Sequence, residues 1–556
     1  MDIDKKNVSN SHEIKNLKTQ IASLKKNKLF GLVWEEKEED VVSFSKENIP
    51  ILRDNLKNEI YKDSLNTCSQ LIVGDNYLTL INLNFIYKNK VDVIYIDPPY
   101  NTGEKDWKFN DNFVDKEDSF RHSKWLSMMN VRLNLAKSLL KNDGLLLVSI
   151  GDDEFANLKL LLDQIFGEGA FICDIPWQKR TSKSDVPYGI SQNYEHILVY
   201  GKQNFESGKP IVRDYYTSDD FKDDPWRLGP MTTQRTKEER PNSYFTMINP
   251  KNGDKFEANP NRTWACTKDT FKKYYEENKI VFPGDYDFLN IGTPYFRYFK
   301  SEDDAKNNGE TPLTATSNVL DKSIVGMTSD GTKELTNILG SKKFNFPKPS
   351  SLIKYLINFH LNKNAVVLDF FAGSGTTGHA VLELNKEDGG NRQFILVTNN
   401  ENNIAEEVTY PRLRNVINGY KNLKNEKIDG LGGNLKYYEI DFVPADNSDP
   451  SMYELAINLV DTLCLKENTF TEHHTSKDIK IFKNKEDHHC CIVFDEDKIG
   501  QALQKLNNTD GSYSFYIYSL GGETFDEELE DFISEHPNTI STPFPLTMKN
   551  IYKSLK

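Results

Sequence analysis

Residues 91–96, VDVIYI, run directly into Asp97-Pro98-Pro99-Tyr100. A short run rich in β-branched residues reads as a buried strand, and two consecutive prolines cannot continue its hydrogen-bond ladder. The strand therefore has to stop at Asp97. The prolines also stiffen the backbone, so the Asp97 carboxylate and the Pro98 carbonyl keep a fixed relation to each other. Two such acceptors suit an NH2 group with two hydrogens to give. Tyr100 adds an aromatic face for a planar ring. By itself the segment also reads as a bare turn; a second motif later in the chain argues against that.

The surrounding sequence repeats the strand–helix alternation of a mostly parallel sheet. SQLIVGD (69–75) reads as a buried strand ending in a turn. Residues 125–140 have helical periodicity, and LLLVSI after Gly144 is another central-strand candidate. Asp152 and Asp153 are candidate caps for a helix through Leu158 and Leu161 to Phe166. The pattern breaks near Pro176. Residues 201–320 hold 19 aromatic residues, 18 basic and 19 acidic ones, so this block carries little of the chain's net charge of −14. It reads as an irregular or β-rich insert. Parallel-sheet character returns with the helix SLIKYLINFHL, the strand AVVLDF and the turn FAGSGTT. The expected fold is an α/β, Rossmann-like sheet interrupted by an inserted domain and followed by a C-terminal α+β domain. The expected boundaries are an N-terminal helical segment at 1–60, sheet halves at 61–200 and 326–430, the insert at 201–325 and the C-terminal domain at 431–556. The first segment includes an amphipathic helix over 12–29, with Lys15, Lys18, Lys25 and Lys26 on its polar face.

The glycine turn Phe371-Ala372-Gly373-Ser374-Gly375 lies between a strand and a helix, where free amide hydrogens and a positive dipole receive the polar end of a nucleotide-like cofactor. Gly378 is followed by His379 rather than lysine, so this is no Walker A loop, and a third dinucleotide-type glycine is missing. Glu401, after the strand FILVTNN, is the nearest acidic candidate for ribose hydroxyls. Six cysteines are too few for a disulfide framework, and no apolar run approaches 18 residues. A reducing, cytoplasmic setting without a membrane span is expected. His473-His474 and His488-His489 read as solvated loop histidines, and no metal site is expected. Residues 521–548 contain no Lys or Arg, and seven acidic residues fall between Glu523 and Glu535; that stretch is unsuited to a phosphate backbone.

DPPY followed, after an insert, by FxGxG resembles the beta class of S-adenosylmethionine-dependent methyltransferases that act on adenine N6 in DNA. GLVWEEKEE at 31–39, LIVGDN at 71–76, VDVIYIDPPYNTG at 91–103, NYEHILVY at 193–200 and FNFPKPSSLIKYLI at 344–357 are similar to the modification subunits of type III restriction systems. The likeness covers about 31–200 and 325–415. Gly151 before Asp152 is a minor departure from the family's pattern. The resemblance implies that Asp97 and the Pro98 carbonyl accept from adenine N6 and that Tyr100 stacks on the flipped base. It implies that Asp75, Asp97, Lys348, Pro349, Asp369, Phe371, Gly373, Gly375, Thr376 and Glu401 surround S-adenosylmethionine, with Asn399 and Asn400 as rivals to Glu401. The insert would then select the DNA sequence, with Arg227, Arg235, Arg240, Arg262 and Arg297 as candidate contacts. Double-stranded DNA, a homodimer and a separate ATP-dependent helicase-nuclease restriction subunit are the implied partners. A stand-alone methyltransferase, cytosine-N4 or RNA-adenine methylation, and a catalytically dead DNA-binding module are the alternatives.

Overall fold

A computed structural model describes residues 32–61, 68–182, 189–210, 213–306, 313–446, 448–507, 509–523 and 525–555. The helix expected over 12–29 lies outside the described residues. The chain divides into two compact units, Met1–Glu206 with Ser317–Lys556, and Ser207–Thr316.

The larger unit is built on a nine-stranded sheet among the described residues. Its strands are β1 (Asn48–Asp54), β2 (Cys68–Val73), β3 (Val91–Ile96), β4 (Leu140–Ile150), β5 (Phe171–Gln178), β6 (Tyr194–Gly201), β7 (Val366–Asp369), β8 (Gln393–Thr398) and β9 (Asn434–Pro444), in the spatial order β1-β9-β2-β8-β7-β3-β4-β6-β5. The pairs from β9 to β4 are parallel, and the outer strands β1, β6 and β5 pair antiparallel. Helix α1 (Asp40–Glu47) leads into β1. Side chains alternate across a strand. Ile94 and Ile96 of β3 thus join the core formed with α2 (Asn76–Tyr87) and α3 (Arg121–Leu139), while Val93 and Tyr95 join the opposite core with α5 (Ser350–Ile357) and α6 (Thr376–Asp388). Burial on both faces explains why β3 is so largely apolar. Its one charge, Asp92, is buried yet fully engaged: it accepts from the Val366 amide at 2.8 Å, Lys141 Nζ at 2.8 Å and Asn362 Nδ2 at 3.1 Å. Those bonds tie the start of β3 to the chain entering β7.

Several expected boundaries move. Residues 48–54 are not helical: NIPILRD forms edge strand β1, where Pro50 is tolerated, beside β9. Strand β9, the neighbour of that edge, falls within the expected C-terminal domain yet completes the main sheet. Pro176 does not end the sheet but sits in its other edge strand, β5. Helix α4 (Phe155–Phe166) starts after Glu154 with no side-chain cap, and Asp152 instead faces His196 Nε2 at 3.2 Å.

Among the described residues the C-terminal region forms a five-stranded sheet, β10 (Thr471–Thr475), β11 (Ile479–Lys483), β12 (His488–Val493), β13 (Ser512–Ser519) and β14 (Thr539–Pro545), in that order. The paired histidines therefore lie on strands β10 and β12 rather than in loops, and His489 is buried. This region shares a core with the main sheet. Leu455 on the helix Asp449–Asn458, Leu463 on the helix Val460–Glu467 and Leu459 between them pack in the same cluster as Leu80 and Leu133, and the Tyr552 hydroxyl donates to Asn82 Oδ1 at 2.8 Å.

The smaller unit holds an antiparallel sheet ordered Tyr216–Ser218, Phe221–Pro230, Tyr295–Phe299, Ile280–Val281. Its core gathers Met231, Trp264, Cys266, Phe282 and Phe296.

A shared core has a measurable consequence. Leu463→Ala should cost about 2–5 kcal/mol and should lower the same urea transition that Leu146→Ala lowers. A C-terminal transition that moves alone would count against it.

Candidate active site and cofactor cleft

Because β7 pairs directly with β3, their carboxyl ends open side by side, and the loops Asp97–Tyr100 and Phe371–Gly375 face a common crevice. This is where ligands bind on open α/β sheets. The first loop is held by Trp125, whose Nε1 donates to the Pro99 carbonyl at 2.7 Å. Gly151, just past the end of β4, makes room for Tyr100: a Cβ there would lie 2.9 Å from Tyr100 Cδ2.

Lys348 Nζ donates to Asp97 Oδ1 at 2.9 Å, to Asp97 Oδ2 at 2.8 Å and to the Tyr100 hydroxyl at 2.9 Å, and lies 3.3 Å from Glu195 Oε2. The Tyr100 hydroxyl is 3.0 Å from Asp97 Oδ1 and 3.0 Å from Glu195 Oε2. Burial pushes the Tyr100 phenol far above its ordinary range, and the Asp97 and Glu195 charges push it further, so it stays protonated. Burial opposes the charged form of Lys348, but Asp97 and Glu195 outweigh it and hold the ammonium above its ordinary range. These groups line a cavity of about 840 Å³ together with Phe344 and Phe346.

The glycine turn follows β7. Gly373 (φ +48°) and Gly375 (φ +76°) are in the left-handed region, which favours residues without a Cβ. Asp369 braces the turn by accepting from the Phe371 amide at 3.0 Å and the Thr377 hydroxyl at 2.6 Å. Burial pushes its carboxyl up to about 7, despite those two bonds. A second cavity, of about 370 Å³, lies here and is lined by Asp75, Phe371, Gly373, Asn399 and Glu401 among others. Asp97, Pro99 and Asp106 line both cavities.

The expected cofactor residues separate on this geometry. Asp75, Asp97, Phe371, Gly373 and Glu401 line the second cavity; of the rivals to Glu401, Asn399 does and Asn400, which donates to Glu406, does not. Glu401 is paired with Lys108 Nζ at 2.6 Å. Lys348 lines the first cavity instead, because its ammonium is drawn to Asp97 and Glu195. Pro349, at the N-terminal boundary of α5, and the buried Asp369, Gly375 and Thr376 line neither cavity; they shape the loop, with Thr376 Oγ1 bonded to the Lys348 carbonyl at 3.3 Å and to Arg412 Nη1 at 2.7 Å. Sequence reasoning missed three participants. Glu195 is hidden in a hydrophobic strand, Glu39 in a run of acids, and Arg132 inside a helix. Arg132 is buried between Glu39 and Asp75, which hold its charge against desolvation, and its Nε donates to Asn76 Oδ1.

Two of the five candidate DNA-contacting arginines are committed elsewhere. Arg297 is buried, donates to the Asn278 carbonyl at 2.8 Å and stacks over Phe221 and Trp226. Arg227 makes a two-pronged pair with Asp303 at 2.6 and 3.0 Å. Arg235, Arg240 and Arg262 lie on two loops joined by Thr263 N to Arg235 O at 2.9 Å and Lys237 N to Pro260 O at 2.8 Å. Lys237 therefore joins them as a fourth cation.

Glu334, His379 and Glu383 bring ligand-type atoms within 4.8 Å of one another. Arg412 and Lys354 already neutralise the two carboxylates. Burial and the Arg412 charge push His379 down to about 3, leaving it neutral. The trio reads as an ion-pair network. Among the described residues, no helix is long and apolar enough to cross a membrane.

The sequence model of a family described as DNA methylase matches residues 91–408. The Salmonella typhimurium type III restriction-modification enzyme StyLTI Mod subunit is 32% identical over 435 residues, 72% of this chain and 62% of that protein. The chain thus spans less than two thirds of that relative's length. The Klebsiella pneumoniae type II methyltransferase M.KpnI is 30% identical over 68% of this chain and 94% of its own. Among solved structures, the PvuII DNA methyltransferase (cytosine-N4-specific) aligns over 63% of this chain and 87% of its own, at 12% identity and a TM-score of 0.33.

The buried Asp369 carboxyl predicts a direction of pH dependence. Its folded pKa of about 7 lies above the ordinary value of 3.8, so the native state binds more protons between those limits. Its contribution to stability is therefore present below that window and lost as pH rises through it. Asp369→Asn should remove this decline, as read by urea unfolding at pH 5 and pH 8; an unchanged pH slope would refute it.

Proposed function

The chain belongs to the DNA methylase family, and from that premise we propose that it transfers a methyl group from S-adenosylmethionine to N6 of adenine in a short, specific DNA sequence, as the modification and recognition subunit of a type III restriction-modification system. The observation that carries this reading is the position of Asp97, on the wall shared by two cavities. One cavity suits the cofactor and the other an extruded base.

The cofactor fits the residues present. Carboxylates of Asp75 and Glu401 and the amide of Asn399 suit the hydroxyl and amine donors of a nucleoside, and acidic walls suit a sulfonium. Gly373 leaves the approach clear, since a Cβ there would meet Phe344 Cζ only at 3.7 Å. When bound, S-adenosylmethionine supplies an electrophilic methyl group.

The protein's own part is positioning and electrostatics. Adenine N6 is a poor nucleophile because its lone pair is delocalised into the ring. Asp97 and the Pro98 carbonyl accept its two hydrogens and fix its orientation, which removes most of the entropic cost of alignment. The Asp97 carboxylate stabilises the positive charge that develops on N6 and stands ready to take the surplus proton. Tyr100, its ring seated over Gly151, offers a face to the base. A base in duplex DNA is inaccessible, so the target is flipped into the larger cavity.

Residues 207–316 are proposed to select the sequence, through Arg235, Lys237, Arg240 and Arg262 at phosphates or base edges. A homodimer acting on double-stranded DNA in the cytoplasm, with a separate ATP-dependent helicase-nuclease subunit, completes the proposal.

Nucleosides from DNA treated with the protein and cofactor should contain N6-methyladenine; N4-methylcytosine alone would overturn the substrate assignment. Asp97→Ala should lower turnover by at least about a hundredfold and leave calorimetric cofactor binding largely intact. Exchanging residues 207–316 with those of a related enzyme should change the methylated sequence. An unchanged sequence would move recognition out of that unit.

A further inference from the structure

Lys348 and Glu195 raise a question that the acceptor role of Asp97 leaves open. Asp97 is expected to give its negative charge to the substrate amine, yet both of its oxygens are already bonded to the Lys348 ammonium, at 2.8 and 2.9 Å. An ammonium held there neutralises the carboxylate and repels the cation forming on N6. A second acceptor stands beside it. Glu195, on the buried strand β6, places Oε2 at 3.3 Å from Lys348 Nζ and 3.0 Å from the Tyr100 hydroxyl, and its Oε1 lies 3.3 Å from Lys179 Nζ.

The Lys348 and Glu195 side chains are only 9% and 11% exposed. Little water reaches either group, so a bond that the ammonium gives up is best replaced from within the site. Glu195 is the carboxylate available for that. Burial disfavours its charge, but Lys348 and then Lys179 outweigh the effect and keep it ionised. The Tyr100 hydroxyl lies equally far from both carboxylates and has one proton, so it too serves one of them at a time.

We propose that Glu195 is a positioning residue for methyl transfer: it takes over the Lys348 ammonium when the substrate amine arrives, and so frees the Asp97 carboxylate. The proposal rests on Asp97 being the acceptor for N6. In the resting protein Lys348 bonds mainly to Asp97 and balances its charge. With substrate bound, Lys348 moves the short distance to Glu195, Asp97 and the Pro98 carbonyl hold the N6 hydrogens, and the local charge facing N6 becomes negative.

A second-site rescue separates this role from a structural one. In the full-length protein, Glu195→Gln should leave Lys348 locked on Asp97. The kcat should fall by about tenfold or more, and KM for DNA should change by less than about threefold. Adding Lys348→Met removes the locked ammonium, so Glu195→Gln/Lys348→Met should recover most of the lost kcat. A structural role also allows such a rescue, but it requires stability to fall in Glu195→Gln and to recover in the double variant. A kcat that is lost and recovered while urea unfolding and cofactor binding stay unchanged belongs to the transfer step, and a kcat that only follows stability overturns the proposal. Calorimetric titration with S-adenosylmethionine checks that each variant is folded. A Glu195→Gln chain that fails this check is replaced by Glu195→Asp, whose shorter carboxylate retreats from Lys348; the same loss and the same recovery are expected. Full kcat in Glu195→Gln, or a double variant as impaired as the single one, overturns the proposal. Retained turnover in Asp97→Ala would instead overturn the reading of Asp97. An inactive Asp97→Ala together with a failed rescue would overturn the role of Glu195 alone.

Discussion

The site exists because β3 pairs with β7. The two strands lie far apart in the chain, yet Val93 is opposite Val367 and Ile94 opposite Leu368. Asp92 fastens the pairing at its beginning, through the Val366 amide and Asn362. Strands in parallel register end on the same edge of the sheet, so fixing their starts also fixes their ends. The proline turn after β3 and the glycine turn after β7 are thereby set against one another.

That juxtaposition concentrates charge where water is scarce. Asp97, Glu195, Lys348 and Lys179 come from four separate segments and are linked by hydrogen bonds around one phenol. A buried ion is tolerated only when its partners are close and well oriented. The cluster is therefore a structural tie across the sheet. The second cavity follows the same logic with other residues: Arg132 is held between Glu39 and Asp75, and Lys108 against Glu401.

The edges of the larger unit show why boundaries are harder to read than centres. β1 and β9 lie far apart in the chain and complete one side of the sheet, while Leu455, Leu459 and Leu463 carry the C-terminal region into the same core. A change of composition along the chain marks the insert, because a separate core has its own aromatic content. Composition does not mark a segment whose apolar face is spent on a sheet built by residues far away.

The central strands and the two turns that end them are legible in the order of amino acids. Those features are local: proline stops a ladder, glycine permits a left-handed turn, and an unbroken apolar run is buried on both faces. Which charges meet is settled by folding. Glu195 looks like a polar residue in a hydrophobic strand, Lys348 is expected beside the cofactor rather than on Asp97 and Glu195, and Arg297 looks like a surface arginine until the fold buries it beneath aromatic rings. Pairing between charges depends on distances across the sheet, and sequence separation does not encode those distances.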